Sequence, residues 1–306
     1  KNKKKKRKIS LGKSIWLDNY LEATKKKDVD LIIELIGGAE GPAKKLVFNA
    51  LKNKKHVVTA NKALIAKYGD DLSKIAEKNK VNLEFEASVC GGVPIIRSLK
   101  EGLIANKITK IFGIFNGTSN YILSSMDKEN KNFEAVLTNA KKLGYAESNP
   151  LADLNGDDVA SKLKILTSLC FNSFINNNIY VEGIKEIEKI DIDNARNLGY
   201  NIKLLGFSEV LNKKIYQRVH PTLIKKESYV ASIDGVLNAV IIDGKPVGQS
   251  IIQGEGAGPS ATTSALVSDI SSIMRGNIKF PFSVSNKERK RLKFENLKER
   301  FFSAYF

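Results

Sequence analysis

Cysteine and histidine are almost missing from this chain: its 306 residues hold two of each, Cys90 and Cys170, His56 and His220. Two cysteines without metal spacing exclude a disulfide framework and a thiolate metal site, and they fit a reducing compartment. Two isolated histidines leave little from which to build a metal centre. No uninterrupted apolar run reaches the ~18 residues of a membrane span, and no apolar segment follows the N-terminal lysines as a secretory signal would require. The expected compartment is therefore the cytoplasm, with no membrane partner.

What is present reads as globular: 42% apolar and 27% charged residues, in a chain long enough for two domains with cores of their own. Fifty lysines and arginines against 33 acids give a formal charge of +17. Such an excess fits a nucleic-acid partner, an anionic ligand or a solvated lysine-rich surface. The lysines are spread along the chain, without a stripe of interleaved aromatics, which favours the surface. The exception is "KNKKKKRK", Lys1 to Lys8, which reads as a loop. The chain opens on lysine and stops on "FFSAYF", so both ends read as cut and a fragment is expected.

From Asp30 the pattern alternates. "DLIIELIGG" is a strand closing on glycines, "PAKKLVFNALKNK" a helix, and "HVVTANKAL" an apolar strand run. "DDLSKIAEKNK" is a helix with Leu72, Ile75 and Ala76 on one face, and "VNLEFEASV" a further strand. Strands alternating with helices predict a doubly wound α/β unit with a parallel sheet, whose ligands sit at the carboxyl ends of the strands: "IGG", "TANK" and "SVCGG". A dinucleotide site of this class opens with strand, G-x-G-x-x-G and helix. Nothing before Asp30 supplies that turn, so it is expected upstream of Lys1. Beyond Pro94 come helix, strand ("ITKIFGIFN") and two helices, then strand-rich sequence from about Tyr180 to Gln253. These predict a second α+β domain. "GEGAGPSATTSALVSDISSIM" is a glycine turn leading into a helix, and the charge-dense stretch Lys287 to Arg300 reads as a solvated linker.

One segment gathers acids: "GYAESNPLADLNGDDVASKLKIL", Gly144 to Leu166. A helix beginning near Asn155 or Gly156 buries Val159, Leu163, Leu166 and Leu169, and places Asp158 and Lys162 one turn apart beside that stripe. Acids at a helix start favour the macrodipole, and an i, i+4 pair is common surface decoration; on spacing alone this plainer reading prevails. Glu147 and Asp153, on loops ahead of the same helix, add the alternative of several carboxylates converging on one lysine, a site for a substrate with an amino group and for proton transfer.

"VVTANKAL", "FEASVCGGVPIIRSLKEGL", "NGTSNYIL", the acid-rich stretch and "GEGAGPSATTSALVSDI" together resemble, in order and spacing, the signatures of the homoserine dehydrogenase family, from about Asp30 to Met274. The resemblance implies a Rossmann-like nucleotide-binding domain, N-terminally incomplete, and a catalytic and dimerisation domain. It implies NAD(P)-dependent interconversion of L-homoserine and L-aspartate 4-semialdehyde in threonine and methionine biosynthesis. Residues 1–93 and about 258–280 would form the first domain, its first strand, helix and second strand missing, and 94–257 the second. Residues 281–306 would be a linker and the start of a truncated regulatory domain. Catalysis would fall to Lys162, with Asp158 orienting it, and to Lys62. Substrate would be met by Glu147, facing its α-ammonium, and by Asp153, Asp158, Gly117, Thr118 and Tyr145. Cofactor would be met by Gly37, Gly38, Lys62, Gly144 and Gly256.

For Lys62 the plainer reading is an exposed strand-end lysine, and for Gly117 and Thr118 an ordinary helix cap. A structural sodium ion is implied at backbone carbonyls near Glu86, Val89, Gly91 and Val93, although a glycine turn before Pro94 explains those glycines without an ion. Cys90 in that turn reads as a small buried side chain. The Lys1 to Lys8 run stands where a 2′-phosphate would be read, which leans to NADP over NAD, against a plain surface loop. The expected partners are the small-molecule substrate and a second copy in a homodimer. Two other readings stay open: an inactive fragment of such an enzyme, and a basic nucleic-acid-binding protein.

Overall fold

A computed structural model describes residues 12–295. "KNKKKKRK" and "FFSAYF" lie outside the described residues. The first sheet is parallel, in the order β1 (Leu31–Glu34), β2 (His56–Thr59), β3 (Leu83–Glu84). Between its strands run α1 (Pro42–Lys52) and α2 (Lys62–Asn79). Pro42 opens α1 after Gly41, and Ala43, Leu46, Val47, Ala50 and Leu51 recur at helical spacing to face the core. α2 begins well ahead of the expected "DDLSK" start. The side chain of Asn61 accepts from the Leu64 N–H at 3.1 Å and caps the helix, so only His56–Thr59 of "HVVTANKAL" is strand. Lys62 thereby becomes the first residue of a helix that starts just past the carboxyl end of β2.

A 3-10 turn (Glu86–Ser88) and α3 (Ile95–Arg97), which continues as a π-helical turn to Gly102, lead into β4 (Lys107–Ile114). Then follow α4 (Gly117–Glu129), α5 (Phe133–Lys142), α6 (Leu151–Leu154) and α7 (Asp157–Phe171). After β5 (Tyr180–Val181) and α8 (Lys189–Asn197) comes the strand-rich part expected from the sequence: β6 (Tyr200–Leu211), β7 (Lys214–Lys225), β8 (Leu237–Lys245) and β9 (Gly248–Glu255). α9 (Pro259–Met274) and β10 (Lys293–Phe294) complete the order. The second sheet runs β10-β7-β6-β4-β8-β9, with β5 on β7, and is antiparallel from β7 through β9. β6 and β7 pair along their whole length because Asn212 and Lys213 both take positive φ (50° and 62°), the conformation of a two-residue hairpin turn.

One apolar core joins the two sheets through α7. It takes in Val57, Leu64 and Leu72 from the first, Ile111, Leu204 and Val240 from the second, and Val159, Leu163, Leu166 and Leu169 of α7 between them. A smaller cluster, with Leu205, Ile224, Val230 and Ile241, lies on the opposite face of the larger sheet. α9 returns to the turn after β3, where Asp269 accepts from the Glu86 N–H at 3.0 Å and pairs with Arg97 at 3.3 Å. The stretch from Lys287 departs from the solvated linker expected. Arg289 is buried and Lys293–Phe294 pairs with β7, because this charge-dense sequence carries one arginine whose partners are interior.

Candidate active site

α7 opens at Gly156, which takes φ 86° and leaves room for Val181 and Val219, whose methyls stand 3.1 and 3.2 Å from where its Cβ would be. The first turn of α7 therefore starts against β5 and β7, with Asp158 and Lys162 turned inward. Lys162 Nζ is 2.7 Å from Asp158 Oδ2 and donates to the Phe115 carbonyl at 2.6 Å. Lys62, the first residue of α2, meets the other oxygen, Oδ1, at 3.0 Å. One buried carboxylate thus holds two ammonium groups, one from each side of the molecule.

Asn116 completes the arrangement. Its Nδ2 donates to Asp158 Oδ2 at 2.8 Å and to Asp153 Oδ1 at 2.7 Å, while its Oδ1 accepts from the Ser119 N–H at 2.8 Å and caps α4. The sequence reading passed over Asn116; its signal was there in "NGTSN", an asparagine three residues ahead of an amide that needs a cap. The second missed element, the Phe115 carbonyl, has no side-chain signal at all.

The charges settle accordingly. Burial presses the Asp158 carboxyl upward, but Lys162, Lys62 and the Asn116 amide outweigh it and hold the group well below the usual carboxylate range. Burial likewise works against the Lys162 ammonium, and Asp158 above all reverses it, so Lys162 titrates above an ordinary lysine. Asp153 is raised, by burial first and then by the charge of Asp158. The assembly is a buried ammonium chemically able to give up a proton, beside a second cation that is partly exposed.

The other expected residues sort into three groups. Gly117 and Thr118 form the first turn of α4 beside Asn116; a Cβ on Gly117 would stand 2.6 Å from the Val236 carbonyl, and Thr118 donates to the Tyr145 carbonyl at 2.7 Å. Tyr145 is half-exposed with its ring against Tyr121. Glu147 is exposed on the loop after α5 and does not join the hydrogen-bonded group. Gly37 and Gly38 take φ of 85° and 81° past the end of β1, where Glu34 accepts from the Ile36 and Gly37 N–H groups, and a Cβ on Gly37 would meet open space. Gly144 takes φ 77° at the end of α5, and Gly256 lies against Asn238.

Near the implied ion site, the Glu86 carboxylate is committed to the Ile96 and Arg97 N–H groups at 2.8 and 2.7 Å. Among the described residues no group of three or more His, Cys, Asp or Glu side chains is placed to hold a metal. Cys90 is buried, and its thiol is pushed up by that burial against the pull of Lys162, which suits packing and not nucleophilic attack. No described helix is long and apolar enough to cross a membrane.

Residues 94–271 match the family described as "Homoserine dehydrogenase", and residues 1–86 match "Homoserine dehydrogenase, NAD binding domain". The chain belongs to the homoserine dehydrogenase family. A homoserine dehydrogenase of Neisseria gonorrhoeae is 46% identical over 261 residues, covering 85% of this chain and 60% of the relative. One from Synechocystis is 42% identical, covering 88% and 63%. The crystal structure of a homoserine dehydrogenase from Thiobacillus denitrificans superposes with a TM-score of 0.88 at 40% identity, over 92% of this chain and 67% of that one. A hyperthermophilic archaeal homoserine dehydrogenase, solved in complex with NADPH, does so at 0.75 and 26% identity, over 87% and 78%. The chain spans 60 to 64% of the length of the first three curated relatives. The family resemblance drawn from the motifs is borne out, together with a parallel, Rossmann-like nucleotide-binding unit and a second α/β unit.

Proposed function

We propose that the protein interconverts L-homoserine and L-aspartate 4-semialdehyde with an NAD(P) cofactor, a step of threonine and methionine biosynthesis. The observation that carries this is Lys162, an ammonium fixed by Asp158 and the Phe115 carbonyl beside Lys62. Reducing an aldehyde places negative charge on its oxygen, and a cation within hydrogen-bond reach stabilises that charge and then gives up a proton. Lys162 is the proton donor at the carbonyl oxygen, Asp158 orients it, and Lys62 adds a second positive charge at the same carboxylate. Asp153 and Glu147 take the substrate α-ammonium, and the α4 start at Gly117 and Thr118, with Tyr145, takes its carboxylate end. In the direction of homoserine oxidation Lys162 acts unprotonated and accepts the hydroxyl proton.

The residues present fit a dinucleotide. Positive φ at Gly37 and Gly38 and open space over Gly37 leave the backbone approachable at the end of a parallel strand. Gly37, Gly38, Lys62, Gly144 and Gly256 would hold the cofactor, whose nicotinamide supplies or takes the hydride. NADP is favoured over NAD by the lysine run Lys1 to Lys8 and by the NADPH bound to the archaeal relative. A sodium ion at the carbonyls of Glu86, Val89, Gly91 and Val93 would brace the turn between the two units. With the Glu86 carboxylate committed to helix amides, an ion would meet its carbonyl, which also accepts from the Val89 N–H at 3.3 Å. The nucleotide-binding domain comprises residues 1–93 and 258–280, and the catalytic domain residues 94–257. Two copies pair through the second domain, where Tyr229 and Ile251 are exposed beside Phe112 and Ile224.

Lys162→Ala tests the assignment. Turnover of aspartate semialdehyde should fall about 1000-fold or more, within the range for loss of a positioned acid, while NADPH affinity stays within about threefold of the parent. Near-normal turnover would overturn it.

A further inference from the structure

Arg289 lies in the run "KERKR", yet its side chain is fully buried. Its Nη2 donates to Asp70 Oδ1 at 2.5 Å, to Ser168 Oγ at 2.8 Å and to the Ser173 carbonyl at 2.8 Å. Nε reaches the same carbonyl at 3.2 Å, and Nη1 donates to Asn286 Oδ1 at 3.2 Å. The guanidinium carbon sits 4.3 Å from the centre of the Phe282 ring and 4.7 Å from that of Phe174. Asp70 belongs to α2, Ser168 to α7, and Ser173 and Phe174 follow α7. One guanidinium therefore ties the helix that opens with Lys62 to the helix that opens with Asp158 and Lys162.

The neighbouring chain repeats the connection. The Asn286 N–H donates to both carboxylate oxygens of Glu77 at 3.1 Å, and its side chain donates to Ser73 Oγ at 2.9 Å. The Phe282 ring lies on Gly69, where an added Cβ would stand 2.8 Å from Phe282 Cζ. On the α7 side, the Lys290 N–H donates to the Asn172 carbonyl at 2.7 Å, and Lys290 in turn accepts from the Phe174 N–H at 3.2 Å. Residues 282–290 form a strap along α2 from Gly69 to Glu77, fastened to the end of α7.

Along α2, Asp70 stands eight residues from Lys62, about 12 Å at 1.5 Å per residue; along α7, Ser168 stands ten residues from Asp158, about 15 Å. Helices behave as rigid rods over such lengths, so their separation at Arg289 sets their separation at the active end. There the gap is bridged by the 3.0 Å contact of Lys62, whose side chain is 41% exposed, with Asp158. The apolar core packs the two helices together along their length, but this one half-exposed ion pair does not by itself fix their register at the active end. A buried guanidinium with five donors in a fixed fork can. We propose that Arg289 is a positioning residue, a pin that fixes the spacing of α2 and α7 and so keeps Lys62 against Asp158 during turnover. The proposal rests on reading Lys62, Asp158 and Lys162 as the catalytic group.

The test is a double-mutant cycle on the full chain. Arg289→Met keeps a side chain between the two rings and removes every donor; Arg289→Lys keeps the charge but cannot reach all three elements. Each is made in the parent and in a Lys62→Ala background. In the parent, kcat should fall roughly 10- to 100-fold, the cost of a small misplacement, with Lys no better than about half restored on the logarithmic scale. In the Lys62→Ala background the same changes should lower kcat by less than about twofold, because the contact they act through is already gone. Equal falls in both backgrounds would reduce Arg289 to a merely structural role and overturn the proposal.

A second readout does not depend on activity. Nitroxides at Lys78→Cys on α2 and Lys185→Cys after β5, with Cys90 and Cys170 buried, report the spacing of the two units by pulsed electron resonance. Arg289→Met should broaden or shift that distance distribution, and an unchanged distribution overturns the pin. If Arg289→Met does not fold, Asn286→Ala loosens the strap with Arg289 in place and is read in the same two ways. If the parent turns over no homoserine, the proposed function falls and the distance measurement still decides the pin.

Discussion

Asn116 gives the hydrogens of one amide nitrogen to two acids, Asp158 at 2.8 Å and Asp153 at 2.7 Å. Its oxygen is already taken by the Ser119 N–H, so the amide has a single workable orientation. Asn116→Ala removes the hold on both acids, and Asn116→Asp also adds a third negative charge among them. The aspartate variant should be the worse of the two, with kcat/KM down about 100-fold, equivalent to ~2.7 kcal/mol. Steady-state kinetics at pH 7 decide the order; an aspartate variant as active as the parent would contradict this geometry.

Lys162 titrates above an ordinary lysine, so throughout the neutral range it is an ammonium, the form that the proposed aldehyde reduction needs. Homoserine oxidation needs the unprotonated form. Initial rates of oxidation should therefore climb steadily with pH from 7 toward 10, whereas aldehyde reduction should be flat or falling over the same interval. Parallel profiles for both directions would remove Lys162 from the proton-transfer role.

Two carboxyls between the sheets carry the sign of linkage opposite to that of a depressed acid such as Asp158. Burial lifts Glu86 to about 7, reinforced by the charge of Asp269; burial lifts Asp269 to about 6, reinforced by Glu84. A carboxyl raised on folding contributes stability below its unfolded pKa and loses it as pH rises through the folded value. The melting temperature should thus increase as pH is lowered from about 8 to about 5. Asp158 works against this only in stronger acid, because its carboxyl is depressed. Asp269→Asn should flatten the slope between pH 5 and 7; calorimetry across that window, with an unchanged slope, would refute the assignment.

Gly256 has no room for a side chain, since a Cβ there would stand 2.1 Å from Asn238 Cγ. Asn238 is fully buried, with its Nδ2 toward Cys90 Sγ at 3.3 Å. Gly256→Ala should cost about 1–3 kcal/mol in urea unfolding, the usual range for overpacking, and Asn238→Ala in the same chain should recover part of it. A double variant no more stable than Gly256→Ala alone would place the strain elsewhere.

The parallel sheet, the helix stripe of α7 and the pairing of Asp158 with Lys162 were legible because each depends on residues close in sequence. Periodicity and capping carry such signals directly. The contact of Lys62 with Asp158 joins residues 96 positions apart, and only the family motifs suggested that they share a site. Asn116 was within reach as a helix cap, but its two acids lie 37 and 42 residues away. Arg289 was misread for a different reason: charge density near a chain end ordinarily means solvent. Its burial depends on a carboxylate 219 residues earlier and on two rings that no local pattern connects to it.

Of the three protons on Lys162, one is committed to Asp158 and one to the Phe115 carbonyl, which leaves a single direction open. Under the proposed function, an oxygen bound along that direction would be fixed at the same time by the acids proposed to hold the rest of the substrate. The trigonal carbon behind it would then keep one face toward the hydride donor. Stereochemistry at that carbon, readable by deuterium labelling, would then follow from the two hydrogen bonds that Lys162 spends on the protein itself.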